Sequence, residues 1–218
     1  MSDRRERFRE QTIAEVKEHA LAQVAEAGAT GVSVNAIAKR MGVTGPALYR
    51  YFASRDALLT ALISDAYHDL ADTVTEATTG AAGQRARAYA AAFRGWALAQ
   101  PHRYLLLFGT PVPGYQAPED TIAAANRAMT VLLTVFDDTG RTPGPELPGQ
   151  LQDELSAWGA RAGHGTRSPA ELHWALTAWS RLHGLVSLEV TEQFGPMGIS
   201  AGALYEREVD ELVAELPD

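Results

Sequence analysis

The amino-acid sequence predicts an all-α protein, a short three-helix head followed by a larger helical body. Three observations predict this class. Apolar residues recur at spacings of three and four through most of the 218 residues. Gly and Pro fall between these runs and punctuate them. No segment shows the period-two alternation of a strand. The nearest, LVSLEV at 185–190, continues a helical pattern.

Each element follows from its local sequence. Ile13, Val16, Ala20, Leu21 and Val24 make one helical face, which Gly28 ends. Ser33 caps a second helix carrying Ile37, Ala38 and Met41 inward, and Gly42 ends it. Thr44 is expected to cap a third. A fourth begins near Ser54 and runs through Leu58, Leu62, Ala66 and Leu70 to about Thr78. After the break TTGAAG, a helix carries Tyr89, Phe93, Trp96 and Leu98. QPH interrupts it before RYLLLFG resumes. The loop TPVPGYQAPED precedes a helix over Ile122–Phe136. The stretch 137–149, DDTGRTPGPELPG, reads as a linker. A helix near Leu151–Ala162 follows. Ser168-Pro169 then opens a long helix to Phe194, and a last one covers about 201–216. The division expected is a head over 1–53, with a basic arm at 1–9, and a body over 54–218.

Composition excludes several classes. The chain has no cysteine, so disulfides, thiolate zinc sites and Cys nucleophiles are ruled out. No run of about 18 apolar residues suggests a membrane span. MSDRRERFRE lacks the apolar core of a secretory signal, so a cytoplasmic location is expected. The net charge of −8 is unevenly spread. Residues 1–55 hold nine Lys/Arg and six acids, a net of +3, leaving −11 on the rest. A basic head on an acidic body suggests two tasks in one chain.

The stretch VTGPALYRYFASRDALL (43–59) points to the first task. Residues 33–52 have the order helix, Gly-containing turn, second helix, which is the helix-turn-helix logic. In that motif the second helix lies in the major groove. Thr44 offers a hydroxyl to the helix start and to a phosphate. Gly45 lets the backbone approach DNA. Pro46 sits in the first turn, where its missing N–H is tolerated. Leu48 and Phe52 point inward, Tyr49 and Arg50 outward, and Tyr51 to the flank. Arg55 is placed to hold a phosphate. The arm Arg4, Arg5, Arg7 and Arg9 is a further candidate for phosphate or minor-groove contacts, or else a solvated tail.

These residues, with Gly28 and SVNAIAKRMGVTGPALYRYFASRDALL at 33–59, resemble the TetR family of bacterial transcriptional regulators. The resemblance covers about residues 9–62. Beyond it lies a W-x-x-x-HG element (Trp179, His183, Gly184) seen in one class of TetR regulatory domains. The resemblance implies that Ser33, Thr44, Tyr49, Tyr51 and Arg55 grip phosphates. It implies that Asn35 and Lys39 reach bases or backbone, and that Gly45, Pro46, Tyr49 and Arg50 form the recognition surface. Many members carry Arg where this chain has Asn35, and a polar side chain at Gly45 or Ala47. Direct readout therefore falls to few groups. Arg50 on guanine and Asn35 on adenine are each worth about 1–3 kcal/mol if bidentate, and DNA shape is expected to supply the rest.

The body holds the wide aromatics. Tyr89, Phe93, Trp96, Tyr104, Phe108, Met129, Phe136, Trp179 and His183 are candidates for lining an apolar cavity between helices, with His102 and His173 as further polar anchors. The resemblance implies that such a cavity takes a small-molecule effector and shifts the spacing of two heads through the fourth helix. One recognition helix covers only a few base pairs, so a homodimer on a palindromic operator is expected. The apolar stripe Trp174, Ala175, Ala178, Leu182, Val186, Leu212 and Val213 on the last two helices is the candidate interface, or else packs within its own chain. A repressor released by its ligand is the family's commoner mode.

No catalytic constellation, metal site or cofactor is expected. GISAG at 198–202 fits G-x-S-x-G but lacks the preceding strand that motif needs, so Ser200 reads as a helix cap. GHGT at 163–166 likewise reads as a loop. The alternative from another class is an all-helical small-molecule carrier or enzyme in which the N-terminal helices only pack.

Overall fold

A computed structural model of the chain describes residues 2–116, 118–137 and 146–216. Most of the Gly/Pro-rich stretch 137–149 thus lies outside the described residues. The fold is all-α. Its helices are α1 (Ser2–Ala27), α2 (Val34–Arg40), α3 (Gly45–Leu48), α4 (Arg55–Ala77), α5 (Ala82–Ala99), α6 (Pro101–Phe108), α7 (Glu119–Leu133), α8 (Gly149–Ala162), α9 (Pro169–Val190) and α10 (Ala201–Ala214). Among the described residues no helix is long and apolar enough to cross a membrane. The chain divides into two compact units, Met1–Ala66 with Gln100–Thr121, and Tyr67–Ala99 with Ile122–Asp218.

The first unit is built on one apolar cluster. Val16, Ala20 and Val24 of α1 meet Val34, Ile37 and Ala38 of α2, Leu48 of α3, and Leu58, Leu59 and Leu62 of α4. Leu106 of α6, with Val112 and Tyr115 beyond it, closes the cluster. The Tyr115 hydroxyl lies 3.0 Å from Thr60 Oγ1 on α4. α1 begins at Ser2, so the basic arm is the first turns of a helix and not an unstructured tail. α2 starts on Ser33, whose Oγ accepts from the Ala36 N–H. It ends in the 6→1 and 5→2 bonding of a Schellman motif: Val43 N–H donates to Ala38 O at 3.0 Å, and Gly42 N–H to Lys39 O at 3.3 Å. Gly42 supplies the left-handed φ of +70° that this stop requires.

Arg55 ties the unit's backbone together. Its Nε donates to Val32 O at 3.0 Å and its Nη2 to Ala29 O at 2.8 Å. The first residue of α4 thereby satisfies the carbonyls of the short 3₁₀ turn at Ala29–Gly31 and of the residue that follows it.

In the second unit α9 is the central helix, packed against α5, α8 and α10. A capping box sets its start: Ser168 Oγ accepts from Glu171 N–H at 3.3 Å, and the Glu171 carboxylate accepts from Ser168 N–H at 2.7 Å. Its inner stripe, Leu172, Trp174, Ala175, Ala178, Leu182 and Val186, is buried within the single chain. Leu212 of α10 is buried too, and Val213 half-buried. Most of the stripe expected as a dimer interface thus packs within its own protomer, while Val213 keeps part of its surface. The outer edge of the α9–α10 pair instead holds Arg181 among Glu208, Glu211 and Glu215. Ser200 caps α10 by accepting from Ala203 N–H at 3.3 Å. The GHGT segment is a loop whose His164 is buried and meets Trp158 edge-on. Burial, and then the positive charge of Arg167, pull the His164 pKa down from its ordinary value.

α9 stops at Val190, short of the expected Phe194. Glu192 takes a left-handed φ of +58°, with Glu192 N–H donating to Glu189 O at 3.0 Å and Gln193 N–H to Leu188 O at 2.9 Å. The stop is a Schellman-like turn made without glycine, which is why a search for glycine punctuation passes over it.

Two stability changes follow. Arg55→Ala removes a part-exposed cation from two backbone carbonyls and lowers stability by about 1–2 kcal/mol in urea unfolding. Arg55→Lys, with no planar fork, recovers at most part of that loss, and an unchanged midpoint would contradict the latch. Glu192→Gly relieves the side-chain clash of a left-handed residue and raises stability by about 1 kcal/mol. Glu192→Ala leaves the clash in place and gives no such gain.

Candidate nucleic-acid interface

The segment 33–52 forms one contiguous surface because only one side of it is apolar. α3 is four residues long, and an isolated helix of that length has no stability of its own. It exists because Leu48, 1 % exposed, and Phe52, 7 % exposed, are driven into the cluster beneath. Tyr49 N–H donates to Gly45 O at 3.1 Å and Phe52 N–H to Leu48 O at 3.1 Å, so the helical bonding carries past the helix itself. With those two anchors fixed, the 3.6-residue period turns the neighbours out. Pro46 and Arg50 are exposed, and Tyr49 is 44 % exposed. The expected outward recognition element is thus a single turn with a helical extension, shorter than the rod the spacing suggests.

The other candidates fall as follows. Ser33 accepts from the α2 backbone through Oγ and keeps its O–H proton to donate outward, while its own N–H donates to Gln23 Oε1 at 2.8 Å. Asn35 and Lys39 are exposed on α2. Thr44 stands at the start of α3 but makes no side-chain cap bond, contrary to the cap expected of it. Its exposed hydroxyl is therefore not spent on the helix. Tyr51 is half-buried against the apolar cluster. The guanidinium of Arg55 serves Ala29 and Val32 carbonyls and also lies 3.8 Å from Asp56, so it braces the head while its side chain stays one third exposed, at 34%.

Two exposed apolar residues escaped the sequence reading. Phe8 of α1 is 66 % exposed, and Val43, in the turn before α3, is 42 % exposed. With Met41, Ala47, Arg50 and Tyr51 they line a cleft of about 350 Å³ between the start of α1 and α3. The signal for Phe8 was its place among Arg7 and Arg9, an aromatic on a basic helix. Arg4, Arg5, Arg7 and Arg9 are all exposed along the same turns.

The candidate effector residues do not gather in one unit. Tyr104 and Phe108 lie in the first, with ring centroids 5.1 Å apart. The rest belong to the second. Tyr89 and Phe93 are fully buried and stacked on each other. Burial pushes the Tyr89 phenol far above its ordinary pKa. Trp96 donates its indole N–H to Asp69 at 2.8 Å. Phe136 meets Trp174 edge-on at 5.2 Å. Trp179 stacks on His183 at 5.1 Å, where burial lowers the imidazole's pKa and favours its neutral form. Met129 is half-buried on α7. Several of these rings therefore find their partners within the protein.

Comparison with known proteins bears on the same two regions. The profile of bacterial regulatory proteins of the tetR family matches residues 18–62, and that of the tetracyclin repressor-like C-terminal domain matches 86–212. The HTH-type transcriptional regulator Rv1816 of Mycobacterium tuberculosis is 36% identical over 228 residues, covering 96% of this chain and 94% of its own. The solved structure of regulatory protein SCO4313 superposes with a TM-score of 0.83 at 43% identity, covering 96% of this chain and 98% of that one. The TetR family regulator PfmR of Thermus thermophilus shares the fold, with a TM-score of 0.60 at 17% identity over 93% and 99% of the two chains. The chain belongs to the TetR family of transcriptional regulators, with a helix-turn-helix DNA-binding domain at its N-terminus.

Proposed function

We propose that the protein is a repressor that binds a palindromic operator as a homodimer and leaves it when a small-molecule effector binds. The observation that carries the DNA-contacting role is the outward Tyr49 and Arg50 beside inward Leu48 and Phe52. Arg50 reads base edges, and Tyr49, Ser33, Thr44 and Lys39 hold the phosphates that set its register. Arg55 contributes by holding the head in shape.

The dimer surface in this reading moves to the outward side of the last two helices. Leu188 is 44 % exposed, Ile199 49 %, Met197 64 % and Leu204 38 %, all within the α9–α10 corner region. Ser180 and Gly184 are exposed at four-residue spacing before Leu188 and allow a partner helix to come close. Large apolar side chains held in water at one corner are the expected mark of such an interface. The effector belongs in the second unit, most of which falls within the stretch 86–212 that matches the family's C-terminal domain. Among the described residues the buried Trp174 indole N–H has no hydrogen-bond partner, a donor that a ligand carrying an acceptor would satisfy.

Selection from a random duplex pool by the wild-type protein supplies an operator for testing. Arg50→Ala is expected to weaken binding to it about tenfold while leaving a scrambled duplex nearly unaffected. Tyr49→Ala weakens both. Binding falls steeply with added salt because phosphate contacts release counterions. Equal binding by wild type and Arg50→Ala would remove the base-reading role. Leu188→Glu with Leu204→Glu should convert the dimer to monomer in sedimentation equilibrium, whereas Trp174→Ala should lower stability first. A double-Glu chain that sediments as a dimer contradicts the placement of the interface.

A further inference from the structure

We propose that Asn35 acts in DNA recognition by presenting its amide over the start of α3, and that residues 35 and 45 set operator preference as a pair. The inference rests on the DNA-binding reading above. Gly45 is not required by its backbone, because its φ lies outside the left-handed region. What occupies the space of a side chain at 45 is Asn35. A Cβ built on Gly45 would stand 2.7 Å from Asn35 Oδ1, far inside contact distance, and its next neighbour is Asn35 Cγ at 3.8 Å. Among the described residues no other crowds the position.

α2 and α3 therefore meet in two layers. Ile37, Ala38 and Leu48 make the buried one. At the solvent edge the amide of Asn35 lies in the volume that a side chain at 45 would fill. Asn35 is exposed, and Thr44 and Pro46, on either side of Gly45, are exposed as well. The polar group presented at the start of α3 is thus lent by α2. An amide carries two donors and an acceptor and suits a base edge or a phosphate equally. A methyl at 45 would push the amide away and put an apolar group in its place. The displaced group is the end of an exposed side chain, so folding is little affected while the recognition surface changes. Removing Asn35 opens the space, and a methyl at 45 then meets nothing.

The test is a double-mutant cycle with the operator duplex selected by wild type, read by fluorescence anisotropy beside a scrambled duplex, with Tm for each variant. Gly45→Ala is expected to melt with wild type and to bind the operator about tenfold more weakly. Asn35→Ala should show a loss of similar size. The double variant should bind about as well as Asn35→Ala alone, far better than the product of the two losses allows. Renewed selection with Gly45→Ala should enrich a changed sequence at the base pairs facing the start of α3. Losses that multiply, or an unchanged selected sequence, overturn the pairing and leave the DNA-binding reading intact. A Gly45→Ala chain whose Tm falls, with no recovery in the double variant, overturns it as a fold effect. A wild type that enriches no sequence and binds operator and scrambled duplex alike overturns the DNA-binding reading itself.

Discussion

The candidate DNA-contacting surface depends on the burial of Leu48 and Phe52. A helix of four residues cannot hold itself, and α3 has no side-chain cap at its start. Its shape is imposed from below, by the apolar cluster that α1, α2 and α4 complete. Burying each of those two side chains stabilises the head by roughly 1.5–3 kcal/mol, more than any single polar contact on the outer side. The two anchors also fix rotation. Turning the segment to hide Tyr49 and Arg50 would expose both of them.

The frame around this element is polar and local. The Schellman stop at Gly42 sets the angle between α2 and α3. Arg55 joins the start of α4 to the carbonyls ahead of α2. A movement of α4 would reach the recognition element through this brace as well as through the apolar cluster. In a ligand-released repressor, the effector shifts the equilibrium only by its differential affinity for the two states of such a linkage.

Much of this was legible in the sequence, and the failures have physical causes. The helix order, the caps at Ser33, Ser168 and Ser200, and the outward Tyr49 and Arg50 follow from periodicity and capping chemistry, which are local. The carbonyl partners of Arg55 were not legible, because a basic residue at a helix start looks the same whether it meets a phosphate or a carbonyl. Only the fold brings Ala29 and Val32 within its reach. The stripe on α9 and α10 was legible as apolar, but periodicity cannot tell a face turned to the protomer's own core from one turned to a partner. The aromatics of the body were legible as a class, while their pairing as Tyr89–Phe93, Phe136–Trp174 and Trp179–His183 was not. The Asn35–Gly45 contact was hidden because ten positions separate two residues that each look ordinary alone.

The decisive measurement is amide hydrogen exchange of the full chain with and without its selected duplex. DNA is expected to slow exchange over 33–51 and to leave the body's helix interiors, such as the middle of α5, unchanged. Unaltered exchange over 33–51 in a complex that demonstrably forms, with protection appearing elsewhere on the chain, would contradict the DNA-contacting role of that segment.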